Sequence, residues 1–123
     1  MSATVLIVDD DETTRDVLGR LLRLKGFSVK CADGCDAALA RLNAGDVSVV
    51  LLDVSMPDVD GIETLRRIRH KPETAGVPVV MYTAFDSDDY RRAASELGAA
   101  DYWVKLRTPV GEMERRLRAL APT

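Results

Sequence analysis

Cysteines and aromatic residues are scarce in this chain, and an excess of basic residues is lacking. Lys and Arg number 17 against 20 Asp and Glu, and the formal net charge is −3 at pH 7. No large basic surface is therefore available to hold nucleic acid, and we expect no direct nucleic-acid binding. The only cysteines, Cys31 and Cys35, have a spacing that matches neither a redox pair nor a four-ligand zinc site. We expect them to be buried, unreactive thiols.

Long apolar runs are also missing. The run at residues 5–8 is too short for a signal peptide, and no segment approaches the roughly 20 apolar residues that cross a bilayer. A Walker-type glycine loop is absent, and no Ser/Thr/Gly-rich loop of the kind that binds flavin phosphate follows the first apolar run. We expect a cytoplasmic protein with no membrane contact.

What the sequence does contain is a regular alternation of strand and helix patterns. Its 123 residues, 46% hydrophobic and 30% charged, suit one globular domain. Apolar runs of strand length occur at residues 4–8, 27–31, 47–52, 77–83 and 102–104. An amphipathic helical pattern follows each run. Five such units with short connections predict an α/β fold, a doubly wound, five-stranded parallel sheet flanked by five helices.

Polar side chains follow four of the five predicted strands. Asp9 and Asp10 follow the first strand, Asp53 the third, Thr83 ends the fourth, and Lys105 follows the fifth. The carboxyl ends of parallel strands share one edge of the sheet, so these groups converge there. Neighbouring carboxylates repel one another, and a divalent cation such as Mg²⁺ would relieve that repulsion.

The remaining groups at this edge suit a phosphoryl group. Lys105 offers a compact positive charge and Thr83 a hydroxyl, and both can hold phosphoryl oxygens. Asp53 stands alone at its strand end and faces the cluster, which makes it the best candidate nucleophile, because aspartate forms acyl phosphates in covalent catalysis. The pattern therefore predicts a site that phosphorylates a carboxylate.

Four motifs carry a resemblance to a known family. They are the acid pair Asp9-Asp10 after an apolar strand, the stretch at residues 53–61 (DVSMPDVDG), Thr83-Ala84, and residues 98–102 (GAADY) leading to Lys105. Together and in this order they resemble the receiver domain of response regulators in two-component signalling, over essentially the whole chain. The resemblance implies a flavodoxin-like strand order of 2-1-3-4-5 and a single receiver domain over residues 1–123, with no output domain in this chain.

The resemblance also implies the phosphoacceptor and the metal ligands. Asp53 would accept a phosphoryl group from a sensor histidine kinase or a phosphotransfer protein. Asp10 and Asp53 would bind Mg²⁺ directly, Asp9 would assist through a water molecule, and the main-chain carbonyl of Ser55 would complete the protein ligands.

Switching and output follow from the same resemblance. Lys105 would pair with the phosphoryl oxygens, Thr83 would turn its hydroxyl toward them, and Tyr102 would swing inward behind it. The surface formed by helix 4, strand 5 and helix 5 would then change its binding to a downstream effector or to a missing output domain, and a phosphorylation-linked homodimer is left open. The chain would be a regulatory domain that catalyses only its own phosphorylation and dephosphorylation.

The sequence departs from the family after Lys105, where Leu106 replaces the usual proline. A cis bond before leucine would cost about 2.5–4 kcal/mol. We therefore expect a trans bond, a rearranged loop, a last helix that starts at Pro109 and slower phosphorylation than in a proline-bearing relative. Phe85, large and apolar, is expected to shield the acyl phosphate and lengthen its lifetime.

Two other functions compete with this interpretation. Residues 9–13 (DDDET) satisfy the DxDxT motif of haloacid-dehalogenase-like phosphatases, in which Asp9 would be the nucleophile and Asp11 the acid/base. The short chain and the lack of a later acidic strand motif count against this interpretation, and Asp11 and Glu12 are better explained as the capped start of a helix. A pseudo-receiver that works without phosphorylation is the second alternative.

Overall fold

The computed structural model describes residues 3–121 and contains one five-stranded parallel sheet in the order β2-β1-β3-β4-β5. This order confirms the predicted doubly wound α/β fold. The strands are β1 (Thr4–Val8), β2 (Ser28–Ala32), β3 (Val49–Leu52), β4 (Val79–Thr83) and β5 (Asp101–Val104). The helices are α1 (Glu12–Leu24), α2 (Cys35–Asn43), α3 (Gly61–His70), α4 (Asp88–Glu96) and α5 (Val110–Leu120).

The sheet separates two hydrophobic cores. On one face, side chains of α2, α3 and α4 such as Leu42, Leu65 and Ala94 pack against the strands. On the other face, α1 and α5 contribute Leu22 and Leu117. All four residues of β3 are buried because helices cover the central strand on both faces, as its continuous apolar run predicted.

The observed strands differ from the sequence prediction mainly at their amino ends. The apolar runs begin at residues 47 and 77, whereas β3 and β4 begin at Val49 and Val79. Hydrophobicity alone cannot distinguish a residue of the ladder from an apolar residue that leads into it. The carboxyl ends, which position the polar side chains, lie within one residue of the prediction. In residues 3–121, no helix combines the length and the apolar character that a membrane span requires.

The amino end of α3 packs directly against the strand end that carries Asp53. The Asp60 side chain caps this helix by accepting a hydrogen bond from the Glu63 amide at 2.8 Å. The next residue, Gly61, donates its amide to the Val54 carbonyl at 2.7 Å. A Cβ at Gly61 would lie 1.9 Å from the Asp53 carbonyl oxygen, so the approach requires glycine.

Candidate functional site

Three carboxylates meet at the carboxyl edge of the sheet. Asp9 and Asp10 follow β1, and Asp53 follows the adjacent strand β3. Asp9 and Asp53 are buried, whereas Asp10 is exposed at the rim. One oxygen from each of the three lies within 4.8 Å of the other two. The sequence prediction that these residues converge is thus correct.

Lys105 is the cation of this site. Its Nζ donates a hydrogen bond to Asp9 Oδ2 at 2.7 Å and lies 3.5 Å from Asp53 Oδ2. It also lies 5.7 Å from the centre of the Tyr82 ring. Although burial opposes the charge, the hydrogen bond to Asp9 and the charges of Asp53 and Asp9 raise the pKa of Lys105 above its usual value. The lysine therefore remains protonated at neutral pH.

Asp53 has an environment that disfavours its ionised form. Burial is the largest cause that raises its pKa, and the charge of Asp9 adds to it. Lys105, the Ser55 amide, which lies 3.3 Å from Asp53 Oδ1, and the Thr83 hydroxyl act in the opposite direction. The net shift is upward. The groups that favour the ionised form of Asp53 thus only partly offset the effects of burial and of the Asp9 charge.

The donor set fits a hard divalent cation. The three carboxylates and Lys105 have a formal net charge of −2, and one oxygen of each carboxylate lies within 4.8 Å of the other two. Mg²⁺ is typically bound by one or two carboxylates and keeps open positions for water or phosphate oxygens. The exposure of Asp10 leaves one side of the cluster open to solvent.

Thr83 and Tyr102 are joined through a main-chain segment after β4. The fully buried Thr83 accepts a hydrogen bond from the Phe85 amide at 3.3 Å. The Phe85 carbonyl in turn accepts a hydrogen bond from the Tyr102 hydroxyl at 2.6 Å. The Arg91 guanidinium lies 4.8 Å from the centre of the Tyr102 ring. Two hydrogen bonds therefore connect Thr83 to the Tyr102 hydroxyl through the Phe85 main chain.

The loop after Lys105 contains a residue with a left-handed backbone. In residues 3–121 no peptide bond is cis, which confirms the trans bond predicted before Leu106. Leu106 itself has a φ of 69°, and its side chain is fully exposed. Pro109 is the N-cap residue and α5 begins at Val110, one residue after the predicted start. Lys105 nevertheless reaches both buried carboxylates.

Several residues near the site have structural roles. Asp11 caps α1, as predicted, by accepting hydrogen bonds from the Thr13 amide and the Thr14 hydroxyl. Cys35 is buried as expected, but Cys31 is only partly buried, because the edge strand β2 is incompletely covered. Trp103 packs beneath α5.

The sequence predicts no site role for three residues that contribute to the site. Arg15 donates a hydrogen bond to the Asp9 carbonyl at 2.7 Å, Tyr82 lies beneath Lys105, and Gly61 supports the Asp53 backbone. Arg15 and Tyr82 belong to ordinary helix and strand patterns, so no sequence signal marks them. Gly61 follows an Asp that caps a helix, and this pattern indicates a helix start without revealing the close approach to Asp53.

Comparison with known proteins agrees with this geometry. The family model for the response regulator receiver domain matches residues 5–115. The chain belongs to this receiver family. It is 45% identical over 97 residues to a CpxR homolog, a transcriptional regulatory protein of Haemophilus influenzae, covering 79% of this chain and 41% of that protein. It is 37% identical over 117 residues to the sensory transduction protein RegX3 of Mycobacterium tuberculosis, covering 95% of this chain and 50% of the relative.

Solved receiver structures superpose on nearly the whole chain. The chemotaxis protein CheY4 of Vibrio cholerae superposes with a TM-score of 0.88 at 26% identity, covering 98% of this chain and 99% of that one. A CheY-like receiver domain protein of Methanospirillum hungatei gives 0.86 at 26% identity, with coverages of 98% and 94%. The receiver is thus a regulatory domain of two-component signalling, and the phosphatase alternative is not favoured. The chain spans 41% of the length of the CpxR homolog and 50% of the length of RegX3.

Proposed function

We propose that this receiver takes a phosphoryl group on Asp53 in a Mg²⁺-dependent reaction. The observation that carries the proposal is the placement of Asp53, a buried carboxylate with a raised pKa that lies 3.5 Å from the protonated Lys105 and within 4.8 Å of Asp9 and Asp10. A structural ion pair has no need of three convergent acids, whereas phosphoryl transfer uses such a charge arrangement.

The reaction is a displacement at phosphorus. An oxygen of the ionised Asp53 forms the new bond to phosphorus, and the bond from phosphorus to the donor atom breaks with its electron pair leaving on the donor. Lys105 pairs with the phosphoryl oxygens as their charge develops, and the Thr83 hydroxyl donates a hydrogen bond to one of them. Lys105 is already held by Asp9, so little reorganisation is needed.

The residues that would hold the metal are Asp10 and Asp53 directly, the main-chain carbonyl of Ser55, and Asp9 through water. Bound there, Mg²⁺ would supply positive charge that offsets the acid cluster and attracts the phosphoryl oxygens. Asp10 lies at the solvent-exposed rim of this cluster.

The phosphoryl donor that we propose is a histidine kinase or phosphotransfer protein, and its docking surface borders the site. Val17 and Leu21 on α1, together with Leu106, expose apolar side chains, and we name them the α1–Leu106 surface. A groove of about 490 Å³ beside this surface is lined in part by Lys105. A partner seated there would bring a phosphohistidine to Asp53. Val17→Ser should slow labelling by a phosphorylated histidine phosphotransfer protein and leave labelling by acetyl phosphate unchanged.

Output would use the surface of α4, β5 and α5, which contains Tyr102. The route begins at Thr83 and passes through the Phe85 main chain to the Tyr102 hydroxyl. A new hydrogen bond from Thr83 to the phosphoryl group would change the position of Tyr102 through these two hydrogen bonds and so alter binding to an effector.

Intact mass after incubation with acetyl phosphate and Mg²⁺ tests the proposal. One phosphoryl group should add to the wild type, and none should add after Asp53→Asn or in the presence of a chelator. Asp36→Asn, an exposed acid in the first turn of α2, is the matched control and should label normally. Labelling that survives Asp53→Asn but is lost in Asp9→Asn would instead favour the phosphatase chemistry, and no labelling of the wild type would contradict the proposal.

A further inference from the structure

One exposed carboxylate connects the two loops that follow β4 and β5. Asp86 lies in the loop between β4 and α4, and its Oδ2 accepts a hydrogen bond at 2.6 Å from Arg107, which lies in the loop between β5 and α5. Its Oδ1 pairs with Arg91 on α4. One loop follows Thr83 and the other follows Val104 and carries Lys105, so Asp86 bridges the segments that hold the two phosphoryl-binding side chains.

The same carboxylate reaches the switch tyrosine. Arg91, which Asp86 holds, lies over the Tyr102 ring at 4.8 Å. The Tyr102 hydroxyl binds the carbonyl of Phe85, the residue immediately before Asp86. Arg107, Asp86, Arg91 and Tyr102 therefore form a continuous chain of contacts across the face of the site.

The turn after Lys105 has few side-chain contacts among its own residues. Leu106 has a φ of 69°, which is unfavourable for leucine, and its exposed side chain packs against nothing that would fix the turn. Within the turn, the Arg107 amide donates to the Val104 carbonyl at 3.1 Å. The Arg107 side chain then ties the turn to the neighbouring loop through Asp86.

We propose that Asp86 is a positioning residue for Lys105, and that its ion pair with Arg107 holds the turn that follows Lys105. The inference rests on the proposed phosphorylation of Asp53. Asp86 does not touch the reacting atoms. It holds the loop so that the Lys105 amine stays between Asp9 and Asp53. The Arg91 and Arg107 side chains lower the pKa of Asp86, and the carboxylate is therefore ionised at neutral pH.

Two measurements on Asp86→Asn test the proposal. At low salt, the rate constant for labelling at saturating acetyl phosphate and Mg²⁺ should fall about two- to fivefold, the usual scale for an exposed ion pair, with the donor concentration for half-maximal rate unchanged. Hydrogen exchange of the Lys105 amide, which donates to the Thr83 carbonyl at 2.8 Å, should accelerate by a similar factor without any donor present. Asp86→Glu keeps the charge and should restore most of both values.

Asp89→Asn is the matched control, because Asp89 is also an exposed acid near the start of α4 that pairs with an arginine, Arg92. It should leave labelling and exchange at wild-type values. Salt near 1 M screens exposed ion pairs and should bring the wild type to the Asp86→Asn rate. Arg107→Gln should reproduce the effect of Asp86→Asn, and combining the two changes should add little further.

The outcomes separate this proposal from the one on which it rests. If the wild type takes up no phosphoryl group, the proposed function fails, and amide exchange still decides whether Asp86 holds the loop. An Asp86→Asn protein that labels normally overturns the positioning role, even if its loop exchanges faster. Equal effects of Asp86→Asn and Asp89→Asn would also overturn it, since loss of any surface charge would then suffice.

Discussion

Replacing Gly61 with alanine is a direct test of how the fold places Asp53. The new Cβ would lie 1.9 Å from the Asp53 carbonyl oxygen and 2.7 Å from both the Asp53 carbonyl carbon and Val54 Cα. Ordinary contacts of a Cβ begin near 3.4 Å, so one partner has to retreat by about 1.5 Å. All three obstructing atoms belong to the main chain, and no flexible side chain can move aside.

The expected cost follows from what must move. The start of α3 is held by the Asp60 cap and by the Gly61 amide bond to Val54, while Asp53 is held by its amide bond to the Val8 carbonyl at 3.0 Å. We expect Gly61→Ala to lower the free energy of unfolding by about 1–3 kcal/mol, the usual range for overpacking. Because a shift of about 1 Å at a reacting group can cost on the order of 100-fold in rate, labelling by acetyl phosphate should slow by one to two orders of magnitude.

Urea unfolding and the time course of labelling provide the two measurements. Gly111→Ala is the matched control, because the same methyl group on α5 meets no atom within 4 Å. It should stabilise the protein by about 0.5–1 kcal/mol and leave the labelling rate unchanged. Wild-type stability and rate in Gly61→Ala would refute the steric argument. Lost stability with a normal rate would show that α3 yields and Asp53 does not.

Three further predictions concern stability, and each is measured by urea unfolding. Leu106→Gly should stabilise the fold by about 0.5–1 kcal/mol, because glycine adopts the left-handed backbone at this position without the strain that leucine has. Leu106→Pro should destabilise the fold, since proline cannot adopt a φ of 69°. Equal stabilities of the two variants would contradict this reasoning. Arg69→Met should cost about 2–3 kcal/mol because the guanidinium binds the carbonyls of Leu97, Gly98, Ala75 and Val77. The exposed Arg92→Met should cost less than about 0.5 kcal/mol, and a similar loss in both would show that these bonds contribute little. With chelator present, Asp53→Asn should be more stable than the wild type at pH values above the raised pKa of Asp53. The protonated side chain of Asp53 stabilises the folded wild type at pH values below its ordinary pKa of 3.8, and this stability is lost as pH rises through the raised pKa of the folded state. The difference in stability between the two proteins should disappear near pH 3.

Much of the fold and the centre of the site could be predicted because both depend on repeating patterns. Apolar runs of strand length mark the sheet, and polar residues at the ends of successive parallel strands must share one edge. This reasoning places Asp9, Asp53 and Lys105 together, and the structure confirms their proximity. The roles of these residues in phosphorylation stay predictions, as does the main-chain carbonyl of Ser55 as a ligand.

What could not be predicted depends on contacts between loops. The ion pair of Asp86 with Arg107 joins residues that are 21 positions apart in two irregular segments, and no periodicity relates them. The conformation of Leu106 is equally invisible in sequence. The absence of proline predicts a trans bond, but it does not say which way the chain turns or what holds it in place.

The geometry of Lys105 links these loop contacts to the chemistry. Its amine lies closer to Asp9 than to Asp53, at 2.7 Å against 3.5 Å, so Asp53 is the less compensated of the two buried acids. Burial and the Asp9 charge also raise the pKa of Asp53. A phosphoryl group on Asp53 would add negative charge beside a lysine that needs only a small movement to meet it. The turn that follows Lys105 governs that movement, and the carboxylate of Asp86 ties the turn to α4 and Tyr102. A substitution in this loop without proline, away from the reacting atoms, is therefore expected to change both the rate at which Asp53 is phosphorylated and the binding of the receiver to its effector.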